Sequence, residues 1–282
     1  MAAANPADTQ TPVLRFERVS VSFDDTPALA DVSFQAYEGE SRVIMGATGS
    51  GKTVLLKTAL GLQRPDSGTV YVFGRDISRM QERELFEIRS KMGMLFQESA
   101  LFDSLNIEDN VSYPLLNQLS IHCPPDQVLP RVEEALKFVE LEGTLEKFPS
   151  ELSGGMRRRA AIARAVVTQP PLLLYDSPTA GLDPITANTI IALIVKERDL
   201  NKTTTLIVTY RYQDGNLVAN FRYNPKNGGL EPAVNRTGSQ AGAAPRTLFM
   251  VLREGRLVFE GPQTELEASQ DSYISKFVKH RG

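Results

Sequence analysis

Residues 46–53 read GATGSGKT, and this stretch decides the fold. The apolar run SRVIM comes directly before it and is typical of a short buried strand. KTVLLKTALGL, which overlaps its end, favours a helix that Gly61 closes. A glycine-rich loop between a strand and a helix is the phosphate-loop pattern. A glycine-rich turn that only happens to precede Lys-Thr is the alternative, and the flanking strand and helix argue against it.

The chemistry of this motif depends mainly on its backbone. Glycines allow backbone N–H groups to surround phosphate oxygens at a helix N-terminus, where the helix dipole is positive. We expect Lys52 to reach the terminal phosphates of a nucleoside triphosphate and the Thr53 hydroxyl to bind Mg²⁺. The other residues expected to line the phosphate site are Gly46, Ala47, Thr48, Gly49, Ser50 and Gly51.

The rest of the chain alternates strand-like and helix-like segments. Strand patterns occur in VLRFERVSVSF, TVYVFG, MGMLFQ, PLLLYD and TTTLIVT, and helical patterns lie between several of them. This alternation predicts an α/β fold with a parallel, doubly wound sheet. Residues 98–168 are mainly helical in pattern, which predicts a helical insert. Its helical spacing is clearest at Val132, Ala135, Leu136 and Val139.

The predicted domain covers residues 13–282, after a disordered tail over residues 1–12. Residues 211–246 contain the turn-rich stretches NPKNGG and NRTGSQAGAAPR. We expect a flexible insertion with a small hairpin there, in the place where a compact α/β unit would have a helix and a short loop. TLFMVLREGRLVFEG predicts a β-hairpin, and TELEASQDSYISKFVKH predicts one closing helix.

The composition is that of an ordinary globular protein. Of 282 residues, 41% are apolar and 23% are charged, and the net charge is −3 without a block of like charge. These values give no sign of a nucleic-acid partner. Cys123 is the only cysteine, which predicts no internal disulfide and a reducing compartment. We found neither a signal-peptide pattern nor an apolar run of about 20 residues, so we expect a cytoplasmic protein.

A second motif, ELSGGMRRRAAIARAV, spans Glu151 to Val166. Ser153, Gly154 and Gly155 begin a predicted helix, so their N–H groups could receive an anion. The alternative is an ordinary N-cap, in which the arginines at 157–159 form a solvated face.

The stretch PPLLLYDSPTAGLDP delivers a carboxylate to the end of a predicted buried strand. Asp176 ends the apolar run, as expected for a residue that holds Mg²⁺. Asp183 and Pro184 then match the N-cap and first position of a helix. Ser177 stands where an enzyme that hydrolyses a nucleoside triphosphate would place a second carboxylate.

Taken in order, the phosphate loop, Gln97, LSGGM, LLLYD and AGLDP resemble the ATP-binding subunits of ABC transporters, over nearly the whole chain. The resemblance implies a P-loop NTPase fold with a mostly parallel sheet, an N-terminal antiparallel β subdomain and a helical insert. In that family two subunits enclose two ATP molecules between the phosphate loop of one and the LSGG signature of the other. It therefore implies a second ATP-binding subunit, with a copy of this chain as the first expectation.

The resemblance also implies roles for individual residues. Gln97 matches the glutamine that senses Mg²⁺ and water and adjoins the transmembrane partner, and Asp183 matches the D-loop. Ser153, Gly154 and Gly155 match the signature. Phe23 lies where the family places an aromatic ring against adenine, although a core Phe on a strand fits equally well. The metal set implied is Thr53, Gln97 and Asp176.

Within the family, the nearest resemblance is to the Mla-type ATPases of phospholipid or organic-solvent-tolerance transporters. The segment Met94 to Leu115, LSGGMRRR and GLDPIT carry this similarity. It implies a membrane permease, an MCE-type lipid-binding protein and a place on the inner face of the cell membrane.

Two positions depart from the family pattern. Ser177 replaces the Glu that acts on the attacking water, and Tyr210 replaces the His that contacts the γ-phosphate. The chain's histidines, His122 and His280, lie elsewhere. Two hypotheses follow: an ATPase that energises a permease, with slowed hydrolysis, or a nucleotide-binding module that regulates or scaffolds a partner without turnover. Phosphate release from ATP distinguishes them.

Overall fold

The computed structural model describes residues 11–233 and 246–279. Most of the predicted tail over residues 1–12, the end of the predicted insertion and His280 lie outside these ranges. The strands within them are β1 (Leu14–Phe23), β2 (Thr26–Ala36), β3 (Ser41–Met45), β4 (Ser67–Val72), β5 (Arg75–Asp76), β6 (Met92–Leu95), β7 (Leu172–Asp176), β8 (Thr204–Val208), β9 (Phe221–Asn224), β10 (Gly229–Pro232), β11 (Thr247–Arg253) and β12 (Arg256–Gly261).

The α-helices of the same ranges surround these strands. They are α1 (Lys52–Ala59), α2 (Glu82–Arg89), α3 (Ile107–Asn117), α4 (Pro125–Phe138), α5 (Gly154–Val166), α6 (Pro184–Asn201), α7 (Tyr212–Asn220), α8 (Gln263–Ala268) and α9 (Ser272–Lys279). None of the helices in this part of the chain is both long and apolar enough to cross a membrane.

The central sheet has six strands in the order β12-β11-β3-β8-β7-β6. All neighbouring pairs in it are parallel except β11 and β12. Strands β3, β7 and β8 are buried along their whole length, as expected for strands covered on both faces. Because parallel strands end at the same edge, the loops after β3, β7 and β8 lie side by side.

A second sheet packs beside the first. It is antiparallel, with the order β2-β1-β4-β5. Alternate residues of β1 point into a core that also receives residues of α1 and of the central sheet, among them Phe16, Leu55 and Leu174. The mostly parallel sheet, the N-terminal antiparallel sheet and the phosphate-loop connection between β3 and α1 together confirm the predicted fold class.

Helices α3, α4 and α5 lie between β6 and β7, within the predicted helical insert. They pack on one another, and α5 also contacts β6. Their buried faces, including Val111, Leu136 and Ile162, join the second core of the protein. The predicted strand MGMLFQ ends earlier than expected, at Leu95, so that Gln97 lies in the loop that leads into this helical region.

The stretch 211–246 differs from the expected flexible insertion at its beginning. Residues 212–220 form helix α7, which packs on β3 and β11. The sequence did not predict this helix, because Gly215 is a poor helix former. A Cβ on Gly215 would lie 2.6 Å from Cε1 of Phe249, so the glycine lets α7 approach the sheet closely. Strands β9 and β10 form the expected small hairpin, whereas residues 234–245 lie outside the described ranges.

The predicted closing helix is two helices, α8 and α9. The break follows Ala268, and Asp271 begins the second helix by accepting hydrogen bonds from the N–H groups of Tyr273 (2.7 Å) and Ile274 (3.3 Å). An internal N-cap of this kind favours a new helix over continuation of the old one.

Candidate nucleotide site

The loop between β3 and α1 has the conformation that a phosphate cradle requires. Gly51, the residue before α1, has φ 99°, and a Cβ there would lie 2.3 Å from the carbonyl oxygen of Ala28. Only glycine fits both the dihedral angle and the space. Ala47, Thr48 and Gly49 are exposed at the tip of the loop, ahead of the N-terminus of α1. This is the geometry in which backbone N–H groups bind an anion.

Lys52 folds back over the loop. Its Nζ donates hydrogen bonds to the carbonyl oxygens of Gly46 (2.8 Å) and Ala47 (2.7 Å). Burial lowers the pKa of Lys52, and the negative charge of Asp176 opposes this shift. The predicted cation and the predicted carboxylate therefore act on each other across one site, although they are far apart in the sequence.

Asp176 ends β7 and Tyr210 lies just after β8. These two strands are neighbours in the central sheet, and β3 lies on the other side of β8, so both residues lie near the phosphate loop. Asp176 is 3% exposed at the end of β7, whereas Tyr210 is 56% exposed just after β8. Ser177 has φ 51° and its Oγ donates to Oδ1 of Asp176 at 3.1 Å. The hydroxyl that replaces the expected carboxylate is thus engaged with its own neighbour.

Asp214, which the sequence analysis did not single out, connects these two strand ends. Its Oδ2 accepts hydrogen bonds from the hydroxyls of Thr179 (2.6 Å) and Thr209 (2.7 Å), and Arg211 Nε lies 3.8 Å from Oδ1. Burial raises the pKa of Asp214, and the hydrogen bonds from the two threonines and the charge of Arg211 oppose the rise. The segment after Ser177 and the segment before Tyr210 are therefore held by one carboxyl group.

Arg158 connects Gln97 to the signature helix α5. Its guanidinium donates to the carbonyl oxygens of Phe96 (3.1 Å), Gln97 and Ala180 (3.3 Å). Burial lowers the pKa of Arg158, while the charges of Glu98 and Asp176 oppose this. The solvated arginine face considered in the sequence analysis is therefore wrong at this position. The helical spacing of Arg158 with Ala161, Ile162 and Ala165, all buried, was the available signal.

The signature residues and the D-loop share one cleft. Ser153 is the N-cap of α5, accepting from the Met156 N–H at 3.3 Å, and Asp183 is the N-cap of α6. Hydrogen bonds from Thr186 and, secondarily, Ile185 lower the pKa of Asp183. The cleft of about 500 Å³ is lined by residues of both segments, and no phosphate-loop residue of the described chain is among them.

The remaining predicted site residues are Phe23 and Thr53. Phe23 is 47% exposed at the end of β1, so its ring is not part of the buried core and is free to stack on a ligand. Thr53 lies exposed in the first turn of α1. Within residues 11–233 and 246–279, no group of three or more His, Cys, Asp and Glu side chains could hold a metal ion. A site with one carboxylate and one hydroxyl suits Mg²⁺, which takes most of its ligands from phosphates and water.

The similarity of the chain to known proteins shows its family. A family model described as ABC transporter matches residues 29–180, which contain the phosphate loop, Gln97, the signature and Asp176. The chain belongs to this family. As an ABC transporter protein it is an ATP-binding subunit and an ABC-type ATPase, so the predicted family and enzyme class are confirmed.

Individual ABC proteins are similar in sequence to this protein over most of its length. It is 33% identical over 249 residues to the intermembrane phospholipid transport system ATP-binding protein MlaF of Haemophilus influenzae, covering 88% of this chain and 83% of that protein. It is 38% identical over 260 residues to the probable ribonucleotide transport ATP-binding protein mkl of Mycobacterium leprae, covering 92% and 67%.

A solved ABC structure has the same fold. The chain superposes with a TM-score of 0.71 and 28% identity on a dimeric ATP-binding cassette in a post-hydrolysis state bound to ADP and Pi. The match covers 88% of this chain and 98% of that structure. In ABC terms, one chain brings together the phosphate loop, Asp176 and the Ser177 and Tyr210 positions, and carries the signature in a separate cleft.

Proposed function

We propose that this ABC subunit binds MgATP at its phosphate loop and hydrolyses it slowly, within a dimer that drives a membrane permease. The observation that carries the proposal is the position of Lys52, held by two loop carbonyls and facing the charge of Asp176. Both groups lie at one edge of the parallel sheet, which is where α/β proteins bind nucleotides.

In the proposed complex the loop amides and Lys52 bind the β- and γ-phosphates, and Phe23 stacks on the adenine. Thr53, Asp176 and Gln97 hold Mg²⁺ or its water ligands. When bound, the metal would neutralise phosphate charge and polarise the γ-phosphoryl group. These assignments are supported by the exposure of Thr53 and Phe23, whose side chains are accessible to a ligand, and by the buried position of Asp176 at the end of β7.

The dimer is proposed because the signature cleft faces solvent without a phosphate loop of its own chain. Ser153, Gly154 and the N-terminus of α5 would receive the γ-phosphate of ATP bound to a second copy of this chain. Asp183 lines the same cleft and would therefore lie at the interface between the two subunits. A homodimer then contains two equivalent composite sites.

Slow hydrolysis is proposed from Ser177 and Tyr210. A serine hydroxyl is not a base near neutral pH, and this one donates to Asp176. A missing general base lowers the rate by about 10²–10⁴-fold. Nucleotide binding loses less, because the phosphate loop, Lys52 and the signature supply most of the charge neutralisation.

We propose that the permease binds in the groove next to Gln97, between the central sheet and the helical region. This groove, about 330 Å³ in volume, is partly lined by Leu62, Phe102 and Tyr113, and all these side chains are more than 40% exposed. The rings of Phe102 and Tyr113 lie 4.8 Å apart, and the guanidinium of Arg164 lies 5.7 Å from the Phe102 ring. An apolar floor flanked by two cations, Arg89 and Arg164, suits an amphipathic segment of the permease.

The transported molecule is proposed to be a phospholipid or related lipid. The resemblance of Met94 to Leu115 to Mla-type ATPases and the identity with the Haemophilus protein support this choice, although the Mycobacterium relative carries a different substrate in its name. An MCE-type lipid-binding protein and attachment to the inner face of the cell membrane belong to the same proposal.

Phosphate release by the purified full chain tests the catalytic part. With Mg²⁺ and ATP we expect release above that of Lys52→Ala, together with measurable ATP binding. Release no higher than in that variant, alongside tight ATP binding, would support the non-hydrolysing module instead. Stimulation of release by a co-expressed permease, lost in Phe102→Asp and kept in Phe86→Asp, tests the docking groove, since Phe86 is 49% exposed on α2 and does not line it.

A further inference from the structure

The C-terminal helix α9 reaches the phosphate loop through Tyr273. The Tyr273 hydroxyl accepts a hydrogen bond from the backbone N–H of Ala47 at 3.0 Å. The same hydroxyl donates to the carbonyl oxygen of Leu252, at the end of β11, also at 3.0 Å. One phenol therefore connects the C-terminal helix, a strand of the central sheet and the loop expected to hold the nucleotide.

Tyr273 and Lys52 both bind the same peptide group of the loop. The N–H of Ala47 and the carbonyl of Gly46 belong to the same peptide group, and in a trans peptide they point in opposite directions. The carbonyl of Gly46 accepts from Lys52 Nζ at 2.8 Å. The peptide plane is thus fixed from one edge by Lys52 and from the other by Tyr273, so the phenol restricts the rotation that would move the carbonyl away from the lysine.

Tyr273 is itself held in place by several contacts. Asp271 caps α9 at the Tyr273 N–H (2.7 Å) and pairs with Arg253 at 3.6 Å. The guanidinium of Arg253 lies 5.6 Å from the centre of the Tyr273 ring, and Phe277 meets that ring edge-on at 5.2 Å between centroids. Ile274 is 4% exposed and anchors the helix in the core. A ring restrained on so many sides can hold its hydroxyl in one position.

We propose that Tyr273 is a positioning residue for the phosphate loop, and that through it helix α9 tunes the affinity of this subunit for adenine nucleotides. The inference rests on the proposed nucleotide site and adds a residue to it that none of the sequence motifs contains. Tyr273 acts on the Gly46–Ala47 peptide and, through that peptide, on Lys52. It has no direct part in the chemical step.

Removal of the Tyr273 hydroxyl alone tests its contact with the phosphate loop. Tyr273→Phe keeps the ring against Arg253 and Phe277 and removes the hydroxyl from both the Ala47 N–H and the Leu252 carbonyl, of which only the first belongs to the phosphate loop. We expect the Kd for MgADP, measured by calorimetry on the full chain, to rise about threefold to tenfold, the loss that one net hydrogen bond produces. MgADP is the probe because it avoids turnover. Where phosphate release is measurable, KM for ATP should rise by a similar factor with kcat changed less than twofold.

A second variant disturbs the hydrogen bond between Ala47 and Tyr273 indirectly, through helix α9. Asp271→Ala removes the N-cap of α9 while leaving the phenol intact, and we expect it to weaken MgADP binding in the same direction. Since both changes act through one hydrogen bond, Tyr273→Phe with Asp271→Ala should weaken binding by less than the product of the two separate effects. Tyr37→Phe is the matched control, because it removes a phenol hydroxyl that donates to Gln35 at 2.7 Å on the antiparallel sheet.

The outcomes separate this inference from the proposed function. If the unmodified chain fails to bind MgADP, the proposed nucleotide site is wrong. If it binds, and both Tyr273→Phe and Asp271→Ala bind within twofold of it, only the positioning role is wrong. A weaker Tyr273→Phe variant whose nucleotide-free melting temperature matches that of Tyr37→Phe supports the positioning role, because a merely structural contact would change stability and leave affinity unchanged.

Discussion

The two halves of the candidate site are built differently. The phosphate loop depends on backbone groups, and its dihedral angles, its crowding at Gly51 and the hydrogen bonds of Lys52 agree with the motif. The ends of β7 and β8 depend on side chains, and there the chain has Ser177 and Tyr210 where the resemblance leads us to expect Glu and His.

The difference shows how binding and catalysis are specified separately. A backbone cradle requires glycines and a strand–helix junction, which the fold itself enforces. A catalytic side chain at a strand end affects neither the core nor the sheet, so it can change while the architecture stays the same. Changes in the cradle should therefore affect nucleotide binding and turnover together, whereas changes at the strand ends should affect mainly turnover.

Loss of the Lys52 cation should have the largest effect. We expect Lys52→Ala to lower phosphate release by about 1,000-fold, because it removes a charged donor to the γ-phosphate from a preorganised site. Steady-state phosphate release measures it, and Lys57→Ala, a change in the last turn of the same helix, is the control. Equal activity of Lys52→Ala and Lys57→Ala would contradict the assignment of the loop.

Restoring the family's side chains should raise the rate. We expect Ser177→Glu with Tyr210→His to increase kcat on the order of 100-fold, since a positioned base typically contributes that much. Ser177 already carries a Cβ at φ 51°, so glutamate adds no new Cβ to this left-handed backbone position. The two single variants should give smaller gains, and KM should change little. A double variant within twofold of the parent would show that another group already serves the attacking water.

The two signature glycines should behave differently. A Cβ on Gly155 would lie 2.6 Å from Cγ2 of Thr186 on α6, whereas the nearest atom to a Cβ on Gly154 is 4.0 Å away. We expect Gly155→Ala to lower the free energy of unfolding by about 1–3 kcal/mol through overpacking. Gly154→Ala should change it by about 0.5 kcal/mol or less.

Urea titration measures this pair of stabilities, and phosphate release completes the test. Gly154→Ala should slow release despite its normal stability, because its methyl group projects into the cleft proposed for the partner's nucleotide. Normal release by a stable Gly154→Ala protein would argue against the composite site.

The smallest expected effect is the pH dependence from Asp214. Its folded pKa is raised above the ordinary value of 3.8, so the stability it contributes is complete below that value and is lost as pH rises through the folded pKa. Asp214→Asn keeps an acceptor for Thr179 and Thr209 without the charge. We expect it to gain stability relative to the parent between about pH 4 and pH 7, by less than about 1.5 kcal/mol.

Thermal or urea unfolding across this pH range measures the Asp214 effect. Asp183→Asn is a useful control, because hydrogen bonds lower the pKa of that exposed carboxyl and its pH dependence should have the opposite sign. A stability difference between Asp214→Asn and the parent that stays constant with pH would contradict the assignment.

The sequence predicted local features well because their causes are local. The phosphate loop, the Ser153 and Asp183 caps and the buried strand before Asp176 each follow from a few adjacent residues. The buried contacts of Arg158 and Asp214 were not predicted because their partners lie far away in the sequence, such as Phe96 for Arg158 and Thr179 for Asp214. Helix α7 was missed because packing against the sheet outweighs the poor helix propensity of Gly215.

The hydrogen bonds of Arg158 have a mechanical consequence. The guanidinium is a rigid plane, and it joins the carbonyls of Phe96 and Gln97 to that of Ala180 while its own backbone belongs to α5. One side chain therefore binds the carbonyl of Phe96, which lines the groove proposed for the permease, and that of Ala180, which precedes Gly181 in the cleft proposed for the second subunit. We expect a displacement of either loop to strain the hydrogen bonds that Arg158 makes to the other.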